Sequence, residues 1–179
     1  MSATATHSRT EKLRRITAAG LFAALVYVFT AYLHIPTGAG YTHAGDGLIY
    51  LAACILPTPY AMATGAIGGA LADGLTGYPV WIPATVIIKA VTAAFFSNKS
   101  EKILNLRNLL AIIPSGILCI AGYSIYEGVV MAGGFSMSAL TAAFTQTPSY
   151  LVQIGTSSLL FVAAALFLDR VGFKKKIRL

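Results

Sequence analysis

Long apolar runs separated by short polar breaks divide the chain into six segments: about Ile16 to Ile35, Leu48 to Leu56, Tyr60 to Leu75, Trp81 to Phe96, Leu109 to Ala132 and Ser149 to Leu168. Runs this apolar predict helices, and a helix that crosses a bilayer needs about 20 such residues. The second and third are short for that, and Pro57-Thr58-Pro59 breaks the chain between them because neither proline can donate a backbone hydrogen bond. They read either as two short spans or as one re-entrant pair. The pattern predicts an all-α integral membrane protein, a bundle of six transmembrane helices occupying residues 16–169.

Composition sharpens this reading. Hydrophobic residues make up 56% of the 179 and charged residues 11%, against about 25% charged in a soluble domain. A net charge of +7 raises the question of nucleic acid, but the basic residues gather at the two ends and in one central loop. Arg9, Lys12, Arg14 and Arg15 precede the first segment, Lys99, Lys102 and Arg107 lie between the fourth and fifth, and Lys174, Lys175, Lys176 and Arg178 follow the sixth. The loops at about 36–46, 76–80 and 133–147 contain no Lys or Arg. By the positive-inside rule both termini are cytoplasmic, with basic tails at 1–15 and 170–179, the first eight residues disordered. A cleaved signal peptide is rejected, because the run from Ile16 is too long and meets no cleavage site. Cys54 and Cys119 lie inside apolar runs and read as small core hydrophobes.

Small residues recur at helical spacing. Ala19 and Ala23, with Gly20 and Ala24 beside them, lie in the first segment; Ala61, Gly65, Gly69 and Ala72 lie in the third. Such stripes let helix backbones approach closely, within the bundle or against another protein, and spacing alone favours the bundle. No Walker A pattern, His-Glu-x-x-His or paired-cysteine metal motif occurs. No cofactor or metal is expected, and any ATP-driven step belongs to another chain.

Candidate chemistry sits on charged groups inside the apolar runs, where each costs roughly 2.5 to 3.5 kcal/mol on insertion scales. Lys89 is near the middle of the fourth segment; it either pairs with Glu127, Asp73 or Asp46, or meets a ligand. Asp73, near the outer end of the third segment, belongs to the same set of polar groups. Glu127 follows Tyr123 and Tyr126 in the fifth, giving a cavity both aromatic faces and hydrogen-bonding groups. The stretch from Gly40 to Asp46 carries Tyr41, His43 and Asp46 among glycines, and the outer loop from Pro36 to Asp46 is expected to be mobile until a ligand orders it. Tyr150, Gln153 and Ser157 form a polar stripe at the outer end of the sixth segment. Trp81 and Tyr78 read as interfacial aromatics or as a cavity wall. Together these groups suit a small polar ring compound.

The residues resemble a known family, the substrate-binding S components of energy-coupling factor (ECF) vitamin transporters. The likeness covers nearly the whole chain. It rests on the six-segment layout, Ala19-xxx-Ala23 after a basic start, Gly40-Tyr41-x-His43-x-Gly45-Asp46, Leu71-Ala72-Asp73 with Gly77-Tyr78, Pro83-x-Thr85, Ile88-Lys89, Gly122-Tyr123 with Glu127, and Pro148 with Gln153. It implies a vitamin-binding subunit that takes ligand from outside, while a shared transmembrane T subunit and two ABC-type ATPases drive release. It also implies that Ala19 and Ala23 face the T subunit. The branch resembled holds riboflavin-type and hydroxymethylpyrimidine- or pyridoxine-type members, the latter expected here. The alternatives are a riboflavin-type S component or a self-contained ion-coupled carrier, with a membrane enzyme third. The chain is therefore expected to be a non-enzymatic subunit, multi-pass in a bacterial plasma membrane, contacting lipid and not nucleic acid.

Overall fold

The computed structural model describes residues 2–38 and 40–177, with side chains from Arg9 onward; Met1, Ala39, Arg178 and Leu179, which fall in the expected tails and outer loop, lie outside the described residues. Helix α1 spans Ser2–Tyr32 and leads into a hairpin of β1 (His34–Thr37) and β2 (Gly40–His43). Helices α2 (Asp46–Ile55), α3 (Thr58–Leu75) and α4 (Ile82–Ala94) follow, α4 entered through a 3-10 turn at Pro79–Trp81. Short α5 (Leu106–Leu110) precedes α6 (Ile112–Ile125), which loosens into a π-helical turn over Tyr126–Met131. Helices α7 (Met137–Phe144), α8 (Thr147–Arg170) and α9 (Phe173–Ile177) complete the chain.

Burial runs opposite to that of a soluble domain. Large apolar side chains such as Leu21, Ile87, Ile117 and Leu159 are exposed on the outer faces, while Thr64, Asp73, Lys89, Asn108 and Gln153 are buried. Lipid tails make the outer surface apolar, and polar groups survive only where they meet one another. Among the described residues three helical stretches are long and apolar enough to cross a membrane: Arg9–Tyr32, Leu106–Met131 and Met137–Arg170. Asp46–Ile55 and Pro79–Ala94 are shorter apolar helices.

Helix α2 explains why one expected segment was short. All ten of its residues are buried, and at 1.5 Å per residue it reaches only about 15 Å, half the hydrocarbon thickness. It is a core rod among α1, α3, α4 and α8. Tyr50 of α2 stacks on Phe96 at 4.6 Å and meets Phe161 of α8 edge-on, and its hydroxyl accepts from Ser115 of α6 at 3.2 Å.

The small-residue stripes are used inside the molecule. Helix α3 packs between α1 and α4, and a Cβ added to Gly68 would stand 2.7 Å from the Ala23 carbonyl oxygen. The Thr64 hydroxyl donates to the Ala19 carbonyl at 3.1 Å, and Ala19 and Ala23 are buried. The face that the family resemblance assigns to the T subunit is therefore covered by α3 here. Glycine and threonine on α3 let the two backbones meet, so the stripe packs within the bundle, as spacing alone favoured.

Three further features differ from the sequence reading. Residues 2–15, expected as a tail disordered over its first eight residues, continue α1 without a break, since nothing before Gly20 is a glycine or proline. The glycine-rich loop is a hairpin registering His34 with His43 and Thr37 with Gly40, closed by Gly38 at φ +52°. An all-α chain thus carries a small antiparallel pair. Helix α7 lies in what was read as an outer loop, its first turn capped by the Ser136 hydroxyl.

At the opposite end, the basic loop at 97–108 is tied down. Asp169 of α8 accepts from the Ile103 and Leu104 amides at 2.8 and 2.9 Å. Buried Asn108 accepts from the Ser97 amide and donates to the Ser97 and Ile103 carbonyls. Both cysteines are free and buried.

Candidate functional site

The hairpin, α1, α3, α4, α6 and α8 enclose a cavity beside the first turns of α2. Its lining includes Tyr41, His43, Asp73, Trp81, Lys89, Tyr123, Tyr150 and Gln153, the set expected from sequence apart from Asp46 and Glu127. About 560 Å³ of unfilled space lies within it, counting the open mouth, and about 40 Å³ admits the centre of a water molecule.

Its floor is an ion pair. Lys89 Nζ stands 2.6 and 2.8 Å from the two carboxylate oxygens of Asp46, both side chains nearly inaccessible. Gln153 Nε2 donates to Asp46 Oδ2 at 2.8 Å. Asp46 is the first residue of α2, where the helix dipole favours a negative charge. Among the partners considered for Lys89, the structure selects Asp46. Asp46 stands behind the lining, held by Lys89 and Gln153, which face the cavity.

The walls are aromatic. Tyr123 and Tyr150 stack with planes 12° apart, Trp81 meets Tyr123 edge-on, and Lys89 Nζ lies 5.2 Å from the Tyr123 ring centroid. The Tyr123 hydroxyl pairs with that of Thr85 at 3.0 Å. Trp81 is buried, so it forms a wall of the cavity and does not sit in an interfacial belt.

The hairpin forms the roof. Tyr41 packs on Tyr78 with centroids 4.7 Å apart, and Thr42 donates to the Ser149 carbonyl of α8 at 3.0 Å. His43 Nδ1 accepts the Gly45 amide at 3.1 Å, which leaves the ring proton on Nε2. Burial pushes the His43 imidazole down to about 4, with Asp46 pulling the other way, so the ring is neutral near pH 7.

Glu127, like Asp46, is absent from the lining. It sits on the π-helical turn, and its Oε1 accepts from Gln146 Nε2 at 3.3 Å. Gln146 itself lines the cavity and packs against the hairpin turn at Gly38. Glu127 thus reaches the cavity through Gln146.

Sequence reasoning left Thr30, Thr85 and Gln146 out of the lining. Thr30 had a signal, being a hydroxyl at the end of an apolar run, as did Thr85, one turn before Lys89. Gln146 had none, because its role depends on how α7 turns into α8.

No curated protein matches the chain. The family model described as the ECF-type riboflavin transporter, S component, matches residues 10–171, almost the full span of the described helices, and the chain belongs to that family of membrane-embedded transport subunits.

Proposed function

We propose that this chain is the high-affinity binding subunit of an ECF-type importer, and that its ligand is a small water-soluble ring compound of the hydroxymethylpyrimidine or pyridoxine type. The observation that carries this reading is the cavity itself, with aromatic walls, an Asp46–Lys89–Gln153 floor and a hairpin roof. Stacking faces plus a few fixed polar groups suit a flat heterocycle. The enclosed part of the cavity is small. A single ring enters after a modest shift of the roof; a three-ring flavin with its sugar-alcohol tail demands a far larger one. Riboflavin is the second reading, favoured by the description of the family model.

The wider arrangement follows from charge and chain length. We assign α1, α2, α3, α4, α6 and α8 as the six membrane helices, with both basic termini on the cytoplasmic side of a bacterial plasma membrane. The buried α2 then needs no lipid contact. Since the sequence has no nucleotide-binding loop, release is driven by a shared T subunit and two ABC-type ATPases, with the vitamin as ligand and no cofactor.

Native mass spectrometry of the purified chain, followed by calorimetric titration with hydroxymethylpyrimidine, pyridoxine and riboflavin, tests the ligand. Tight binding of a one-ring compound is expected, without uptake by vesicles holding this chain alone. Uptake by the chain alone would instead establish a self-contained carrier, and tight binding of riboflavin alone would establish the flavin reading.

A further inference from the structure

Asp73 lies near the end of α3, is 3% exposed and lines the cavity. Its Oδ1 accepts the Tyr41 hydroxyl at 2.5 Å, while its buried Oδ2 has no hydrogen-bond partner. The neighbouring Thr85 hydroxyl interacts with the carboxylate without reaching hydrogen-bond geometry, and it pairs with Tyr123. A buried carboxylate oxygen left without a donor is costly, so a donor on the ligand gains more here than at a satisfied group.

The charges around the cavity do not balance. Lys89 is the ammonium in the lining, and it is already engaged by Asp46 at 2.6 Å. His43 offers Nε2–H but no charge. Glu127 is held outside through Gln146. Asp46 and Asp73 therefore share one cation.

We propose that Asp73 determines specificity within this cavity: Oδ2 accepts an N–H from the ligand, so the site selects heterocycles bearing an exocyclic amine or a protonated ring nitrogen. This rests on the reading that the cavity binds a ring compound. A ring whose edge carries carbonyl oxygens turns them toward the carboxylate and is repelled. An aminopyrimidine directs its amine at Oδ2 while its faces meet the aromatic walls.

The test compares 4-amino-5-hydroxymethyl-2-methylpyrimidine with the analogue that carries hydrogen in place of the amine, titrated against the full chain in detergent. One charge-assisted hydrogen bond predicts roughly a tenfold to hundredfold preference for the amine. Asp73→Asn should lose most of that preference, the affinity for the amine falling toward that for the deaminated analogue. Equal affinity of the parent for both pyrimidines overturns the role of Asp73 and leaves the ring-compound reading standing. An Asn variant that keeps the preference overturns it too. Binding of riboflavin with neither pyrimidine, or of no probe at all, overturns the one-ring reading and this inference together. If the Asn variant does not fold, the parent's comparison of the two pyrimidines decides.

Discussion

Replacing Lys89 with methionine tests whether the Asp46–Lys89 pair is the keystone of the site. The substitution keeps most of the stem and removes the ammonium. Asp46 then keeps only the Gln153 amide at 2.8 Å, in a place where the pair's side chains are 3% and 4% exposed. Breaking a buried pair by removing one partner costs about 3–5 kcal/mol, because the remaining charge stays desolvated. For a chain of this size that is a fall on the order of 10 °C in apparent unfolding temperature. Removing both charges with Asp46→Asn and Lys89→Met should recover most of the loss, since no bare carboxylate remains. Thermal unfolding of the ligand-free chain in detergent, followed by tryptophan fluorescence from the single buried Trp81, measures both variants. Ligand titration of the double variant then reads the contact separately. Loss of the Lys89 donor should cost about 1.5–3 kcal/mol, roughly a tenfold to hundredfold weaker Kd. A Lys89→Met variant as stable as the parent, or a double variant no better than the single, would refute the account of the floor.

The remaining expectations follow from placement. Glu127→Gln should weaken ligand affinity by less than Lys89→Met, about threefold or below, since it reaches the cavity through Gln146; a larger loss in titration would put Glu127 in direct contact with ligand. A cysteine at exposed Ser138, with Cys54 and Cys119 buried, should react with impermeant maleimide from outside intact cells; labelling only after lysis would invert the topology. Ala23→Trp should destabilise the bundle by about 1–3 kcal/mol or more through overpacking against α3, seen as lost thermal stability before any loss of partner binding; a stable variant that binds ligand but not the T subunit would restore that face as the docking surface.

How far the sequence reached depended on which force fixed each feature. Apolar run length is a local property, and it located α2, α3, α4 and α8 to within a few residues. The positions of Lys89, Asp46 and Gln153 were legible because a polar group inside an apolar run has few alternatives to meeting another one. What stayed hidden depended on backbone geometry with no local signature. The π-helical turn at Tyr126–Met131 changes the pitch of a run that reads as one uniform helix, and Glu127 lies on that turn. The hairpin was masked by its glycines, which are compatible with a mobile loop and with a tight reversal alike. The pairing of His34 with His43 and the hook from Thr42 to Ser149 are long-range contacts that no local pattern announces.

The first helix shows why spacing leaves docking ambiguous. Ala19 and Ala23 fall on one face, while Gly20 and Ala24 fall on the next, one residue further round, and both pairs satisfy the same small-xxx-small rule. In the structure α3 takes the first pair, and a Cβ on Gly20 would meet nothing within 4 Å. The choice is made by α3: Thr64 supplies a hydroxyl that reaches the Ala19 carbonyl, and Gly68 supplies the absence of a side chain opposite Ala23. A motif on one helix states that some backbone comes close. Which backbone it is depends on the complementary residues of the partner, and here those residues lie 45 positions further along the same chain.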